Sequence, residues 1–204
     1  MWADLLSQAG AASRPVARYL ILMACAGIIA AFGVLYDNEI LVVGAMAISP
    51  DLLPITATGT ALVLRRWRLA ARAFAALVVG LAVACVVAGL VTSVLDALDS
   101  LPVGFALGDN SLLKGLSTVN SSSAPVAAAA GVAAMLSLET RASSAVGVAI
   151  SVTTIPASAY LGVAAGIREP SEAAGALLVL GVNVAMLIAG GCLVLLVQRR
   201  LGRS

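Results

Sequence analysis

One carboxylate stands between two prolines in the middle of a long apolar run. Ser49-Pro50-Asp51-Leu52-Leu53-Pro54 lies inside the stretch from about Ile40 to Leu64, which is long enough to cross a bilayer. An ionised acid at that depth is costly, so its default reading is functional: it exchanges a proton or helps to hold a cation. The bland alternative is a cap, with Asp51 accepting hydrogen bonds from the amides exposed after Pro50.

A second polar set, Ser151, Thr153 and Thr154, precedes Pro156 in another apolar run, Ala142 to Ala165. Ile150-Ser151 and Pro156 repeat Ile48-Ser49 and Pro54 at a spacing of 102 positions, which pairs Ala47 with Ala149, Asp51 with Thr153 and Ala57 with Ala159. Hydroxyls beside a broken membrane helix satisfy the freed backbone groups or bind a polar ligand. Ser49, Asp51, Ser151, Thr153 and Thr154 therefore form the candidate solute- or ion-binding set. Asn183, inside the last apolar run, joins it, although an interhelical hydrogen bond is the simpler role for a buried amide. Asp51 argues for a cation or proton. The positive ends of half-helices starting after the breaks argue for an anion. The sign of the ligand stays open at this point.

These residues need elements to hold them. Pro50, Pro54 and Pro156 each remove a backbone donor and crowd the preceding turn, so they break the helices that contain them. Two interrupted apolar segments at matching positions in two halves are a pointer to a transporter-type site at the membrane midplane. The chain is 61% hydrophobic and 11% charged over 204 residues, where a soluble domain carries about 25% charged residues. That composition predicts one all-α integral membrane domain over 1–204. Six transmembrane helices fall at about 17–35, 40–63, 70–95, 119–138, 142–166 and 173–197, the second and fifth broken. The fourth is weakly hydrophobic and rich in small residues, which suits close packing inside the bundle.

With the N-terminus inside, the inner segments hold Arg14, Arg18, Arg65, Arg66, Arg68, Arg72, Arg141, Arg199, Arg200 and Arg203, and the outer segments hold only Lys114 and Arg168. This positive-inside bias predicts a multi-pass protein of the inner (plasma) membrane with both termini in the cytoplasm. Arg14 and Arg18 before an apolar run raise a signal-peptide reading. The stretch from Arg18 to Cys25 is too short for one, so residues from 17 read as an uncleaved first span. Residues 2–13 suit a short surface helix or a frayed tail. Three spans per half mean that the second half enters from the opposite side. The prediction is two inverted three-helix repeats, at about 17–95 and 119–197, joined by a linker at 96–118. Leucines on that linker suggest an amphipathic piece resting on the bundle.

Catalytic chemistry has no candidates. There is no histidine, and Cys25, Cys85 and Cys192 lie in apolar spans without ligand spacing. No cofactor, metal or nucleic-acid role is expected, and no enzyme activity. The arginines from 65 to 72 fit topology and anionic lipid headgroups.

At Val43-Gly44-Ala45-Met46-Ala47-Ile48-Ser49-Pro50 with Pro54, at Ser144-Ala145-Val146-Gly147-Val148-Ala149-Ile150 leading to Pro156, and at Gly175-Ala176-Leu177-Leu178 with Asn183, the chain resembles a family of bacterial and archaeal membrane proteins catalogued as domain of unknown function family 389. The resemblance covers about 20 to 195. It implies a multi-span hydrophobic domain, sometimes with a soluble domain attached, and no settled activity. The chain departs from that pattern in having Asp51 where an apolar residue is usual, Ile155-Pro156 where two prolines are usual, and a different linker. The leading expectation is a secondary transporter of a small solute or ion, alternating access by rocking one repeat against the other. The alternatives are a non-transporting oligomeric module (scaffold, lipid-binding or sensory) and an oligomeric channel. Membrane lipid and further copies of the chain are the expected partners.

Overall fold

The computed structural model describes residues 17–102, 105, 107, 123–140 and 154–201. The expected surface helix at 2–13, most of the linker and the first half of the fifth span lie outside the described residues, as do Ser151 and Thr153. Among the described residues the fold is all-helical, with seven helices: α1 (Ala17–Leu35), α2 (Glu39–Ile48), α3 (Leu52–Val63), α4 (Trp67–Ala97), α5 (Ser123–Thr140), α6 (Ile155–Gly166) and α7 (Pro170–Leu201).

Three of them, α1, α4 and α7, are long and apolar enough to span a membrane. The α2–α3 pair makes a fourth candidate, bent by 56° at its break. The chain is thus a membrane-embedded helical protein. Its α4 and α7 keep large apolar residues on the outside, among them Val86, Leu90, Leu178 and Leu193, as lipid-facing helices do. The apolar part of α5, Ala124–Ser137, is shorter than a span, and α6 is shorter still.

The break at 49–51 has the expected cause. α2 opens with Asn38, whose Oδ1 accepts the Ile40 and Leu41 amides at 3.0 and 3.2 Å. It stops at Ile48, because Pro50 holds the preceding Ser49 extended at φ −65°, ψ 126°. Pro54 then falls in the first turn of α3 and Pro156 in the first turn of α6, where a missing amide costs no helical hydrogen bond.

α3 and α6 are both 12 residues long, and they begin 103 positions apart, as α4 and α7 also do. The turns that follow them match. Arg65 and Arg66 donate to Leu62 and Ala61 at 3.0 and 2.9 Å, and Arg168 and Glu169 donate to Ala165 and Ala164 at 3.3 and 2.9 Å. Arg65 and Arg168 both adopt the left-handed conformation, at φ 54° and 64°, which a closing Schellman turn requires and glycine usually supplies.

Packing crosses between the halves. α3 lies against α7 as well as α4, and α6 lies against α4 as well as α7. Gly162 is where α6 meets α4: an added Cβ would run into the Cys85 carbonyl. At Gly59, the counterpart 103 positions earlier, Cys192 of α7 donates to the glycine carbonyl across 3.6 Å. Small residues also let α1 meet α4 at Gly27 and Ala84, and α5 meet α7 at Gly131 and Leu187. This is the close backbone approach that drives association in lipid.

These contacts fix the directions of the short helices. The end of α3 sits beside Leu195 and Arg199 of α7 and next to the start of α4. The end of α6 sits beside Thr92 and Ser93, near the other end of α4. From Trp67 to Thr92 the axis of α4 rises about 37 Å at ~1.5 Å per residue. Two 12-residue helices placed end to end span about 36 Å by the same rule. α3 and α6 therefore point away from one another, with their N-termini meeting near the middle of the bundle.

Candidate functional site

Asp51 and Thr154 stand where those two N-termini meet. Each is the N-cap residue of its helix, Asp51 for α3 and Thr154 for α6. Both are fully buried, at 0% exposure. The Thr154 hydroxyl donates to Oδ2 of Asp51 at 2.5 Å.

Neither side chain caps its own helix, so the structure gives Asp51 a cross-helix bond in place of the simple cap the sequence allowed. Two physical reasons account for it. A capping residue sits in extended backbone and aims its oxygen at the second or third amide of the helix. Asp51 instead has φ −69°, ψ −18°, and Thr154 has φ −104°, ψ −51°. The target amides are also depleted, since Pro54 occupies the third position of α3 and Pro156 the second of α6. Both side chains are freed to meet across the gap.

The helices add a second spacing to the one in the motifs. Their starts fall 103 positions apart, so Thr154 holds the place before α6 that Asp51 holds before α3. The sequence alignment used Ile150, Ser151 and Pro156, which carry a spacing of 102. The second proline stands one place earlier in its helix than Pro54 does, so that alignment loses a residue across the break.

Two helix N-termini face the Asp51 carboxyl group. Each helix N-terminus carries roughly half a positive charge. Two of them converge on one carboxylate, so their sum is about equal and opposite to the charge of an ionised Asp51. The opposing arguments about ligand sign are thus two parts of one local neutralisation.

The other sequence candidates divide. Ser49 is buried beside this site, but its hydroxyl donates to the Met23 sulfur of α1 at 3.4 Å and its amide closes α2 on Ala45. Asn183 is 5% exposed on α7, on the same face as Leu187, whose backbone meets Gly131 of α5. That places it at the α5–α7 seam. Thr56 and Thr58 donate back to the Leu52 and Pro54 carbonyls, which satisfies their buried hydroxyls within α3.

One buried polar pair was not singled out from the sequence. Tyr160 of α6, fully buried, donates its hydroxyl to Glu172 of α7 at 2.7 Å. A lone tyrosine in an apolar run and an acid in the following turn carry no motif, although their twelve-residue separation across a helix hairpin puts them in reach. Among the described residues no cluster of histidine, cysteine or carboxylate side chains could hold a metal ion.

A family model described as "Domain of unknown function (DUF389)" matches residues 46–189, which include the helix break at 49–51, Asp51 and Thr154. Neither a curated protein nor a solved structure matches the chain.

Proposed function

This chain belongs to the DUF389 family, and from that premise we propose that it is a secondary transporter whose site is the Asp51–Thr154 junction. The observation that carries the reading is the hydrogen bond between two buried N-cap residues of oppositely directed half-helices. Discontinuous helices meeting at the midplane are where such proteins bind their solute.

In this reading the chain forms six spans as two inverted repeats, with both termini in the cytoplasm. The shared 103-residue spacing of α3/α6 and α4/α7 supports it, as do the matching left-handed arginines. Asp51 bonded to its own counterpart supports it further, because a residue that touches its counterpart lies on the axis relating the two halves.

Charge balance supports an anionic solute. With Asp51 ionised, the carboxylate cancels the two helix ends. Once Asp51 is protonated, two uncompensated N-termini remain and attract an anion. A small anion and a proton therefore enter together, and alternating access follows as one repeat rocks against the other.

Flux into proteoliposomes, with a pH-sensitive dye inside and a panel of small anions, cations and neutral amino acids added outside, tests this. Anion-dependent acidification by the wild type, with anion entry uncoupled from acidification in Asp51→Asn, is expected. Cation-driven flux, or acidification unchanged in Asp51→Asn, rejects the coupling scheme. No flux of any solute through folded protein turns the reading to a scaffold or sensor module.

A further inference from the structure

The end of the bundle where α3 stops, α4 starts and α7 ends is basic and hollow. Two adjoining cavities of about 500 and 440 Å³ open there. Arg65 and Arg199 line both, Arg200 lines the second, and Leu62, Val63, Trp67 and Leu196 supply apolar wall. No carboxylate is among the described lining residues of either cavity. Arg199 is fixed by donating through Nη1 to the Val63 carbonyl at 3.2 Å, and Trp67 is largely exposed beside it.

The opposite end of the bundle has a junction of similar layout. There α6 stops, α7 starts and α4 ends. The last carbonyl of α6, on Gly166, is met by the Ser93 hydroxyl at 3.3 Å. Gly166 is the counterpart of Val63 at the same spacing of 103, and the counterparts of Arg199 and Arg200 are Asp96 and Ala97. The same three-helix junction is built at that end without the arginine pair. Its terminal carbonyl is closed by a neutral hydroxyl.

Arg65 holds the left-handed position of the closing turn at φ 54°, as Arg168 does at φ 64° at the opposite end. Three guanidinium groups therefore converge on a concave site with an apolar wall, at the end of membrane-embedded helices. Planar guanidinium donors match phosphate oxygens in bidentate geometry. An aromatic at the rim belongs to the membrane–water boundary.

We propose that Arg65, Arg199 and Arg200 form a site for a phosphate-bearing anion, and that the phosphate is the headgroup of an anionic membrane lipid whose chains lie along Leu62, Val63 and Leu196. Basic pockets between membrane helices bind such headgroups. This site is remote from Asp51 and does not depend on transport.

The test is thermal unfolding of the purified full chain in detergent, titrated with phosphatidylglycerol, with phosphatidylcholine and with inorganic phosphate. A ligand that binds only the folded state raises the unfolding temperature. Phosphatidylglycerol should raise it by several degrees, and the other two should not. In Arg65→Gly combined with Arg200→Gln the rise should fall by at least half. Arg65→Gly suits the left-handed turn, so the lipid-free transition should be unchanged. Arg168→Gly, the same replacement at the opposite end, should keep the full rise. If the double variant does not fold, Arg200→Gln alone gives the reading. An undiminished rise in the variants, or an equal rise with phosphatidylcholine, overturns the proposal. Inorganic phosphate matching phosphatidylglycerol would assign the pocket to a soluble phosphate and overturn the lipid source.

Discussion

Asp51 and Thr154 stand 103 positions apart in the chain, hold the same place in two helices of equal length, and are hydrogen-bonded to each other. The bond is fully buried. Its loss should therefore be felt in stability as well as in function.

Removing the Thr154 hydroxyl should cost about 1.5–3 kcal/mol, the range for a hydrogen bond to a charged group. Thr154→Val should lower the unfolding temperature, and Asp51→Asn, which keeps an acceptor oxygen but loses the charge that offsets two helix ends, should lower it as well. A double-mutant cycle between the two should give a coupling of at least ~1 kcal/mol. Strict additivity would mean that the two side chains act independently.

Glycines of one type should divide sharply by position. Gly162→Ala and Gly131→Ala place a methyl group against the Cys85 and Leu187 backbone carbonyls, which cannot yield as a flexible side chain does. Each should destabilise by several kcal/mol or prevent assembly, beyond the ~1–3 kcal/mol typical of overpacking. Gly44→Ala and Gly181→Ala meet nothing within 4 Å and should stabilise their helices by about 0.5–1 kcal/mol. Yield and unfolding temperature of the four variants in one detergent would check this.

Tyr160→Phe removes one hydroxyl from a fully buried ring and leaves Glu172 half-buried. We expect a loss of about 1–3 kcal/mol, reported as a lower unfolding temperature. Tyr160→Phe combined with Glu172→Gln should be little worse than the single change, since both alter one bond. A loss twice as large would show that Glu172 has a separate structural role.

Ser49→Ala should be nearly silent in stability, at less than ~1 kcal/mol, because a contact to a thioether sulfur is a weak hydrogen bond. If flux in proteoliposomes falls while the unfolding temperature holds, Ser49 contacts the solute when it is bound. If both hold, its role ends with Met23.

The first span was legible from the sequence at about 17–35, because an apolar run between an arginine and a polar turn has few ways to sit. The break at 49–51 was legible too, since proline chemistry is local. Partner choice was not. Nothing in the composition of α3 says that it will lie against α7, because all the apolar faces on offer are alike in leucine, alanine and glycine. The meeting of Asp51 with Thr154 turns on where Pro156 sits within its helix, a one-residue matter that a short motif alignment cannot resolve. The Tyr160–Glu172 bond depended on a hairpin whose register is set by packing.

The crossing of α3 onto α7 also has a consequence in time. The Cys192–Gly59 contact joins residues 133 positions apart, and Thr154 follows Asp51 by 103. At ~5–20 residues per second of synthesis, α3 is finished roughly 7–25 seconds before the part of α7 that covers it exists. During that interval a helix with a carboxylate at its head waits in or beside the membrane while its covering surface is still being made. α3 reaches its final packing against α7 only once that part of α7 has been made.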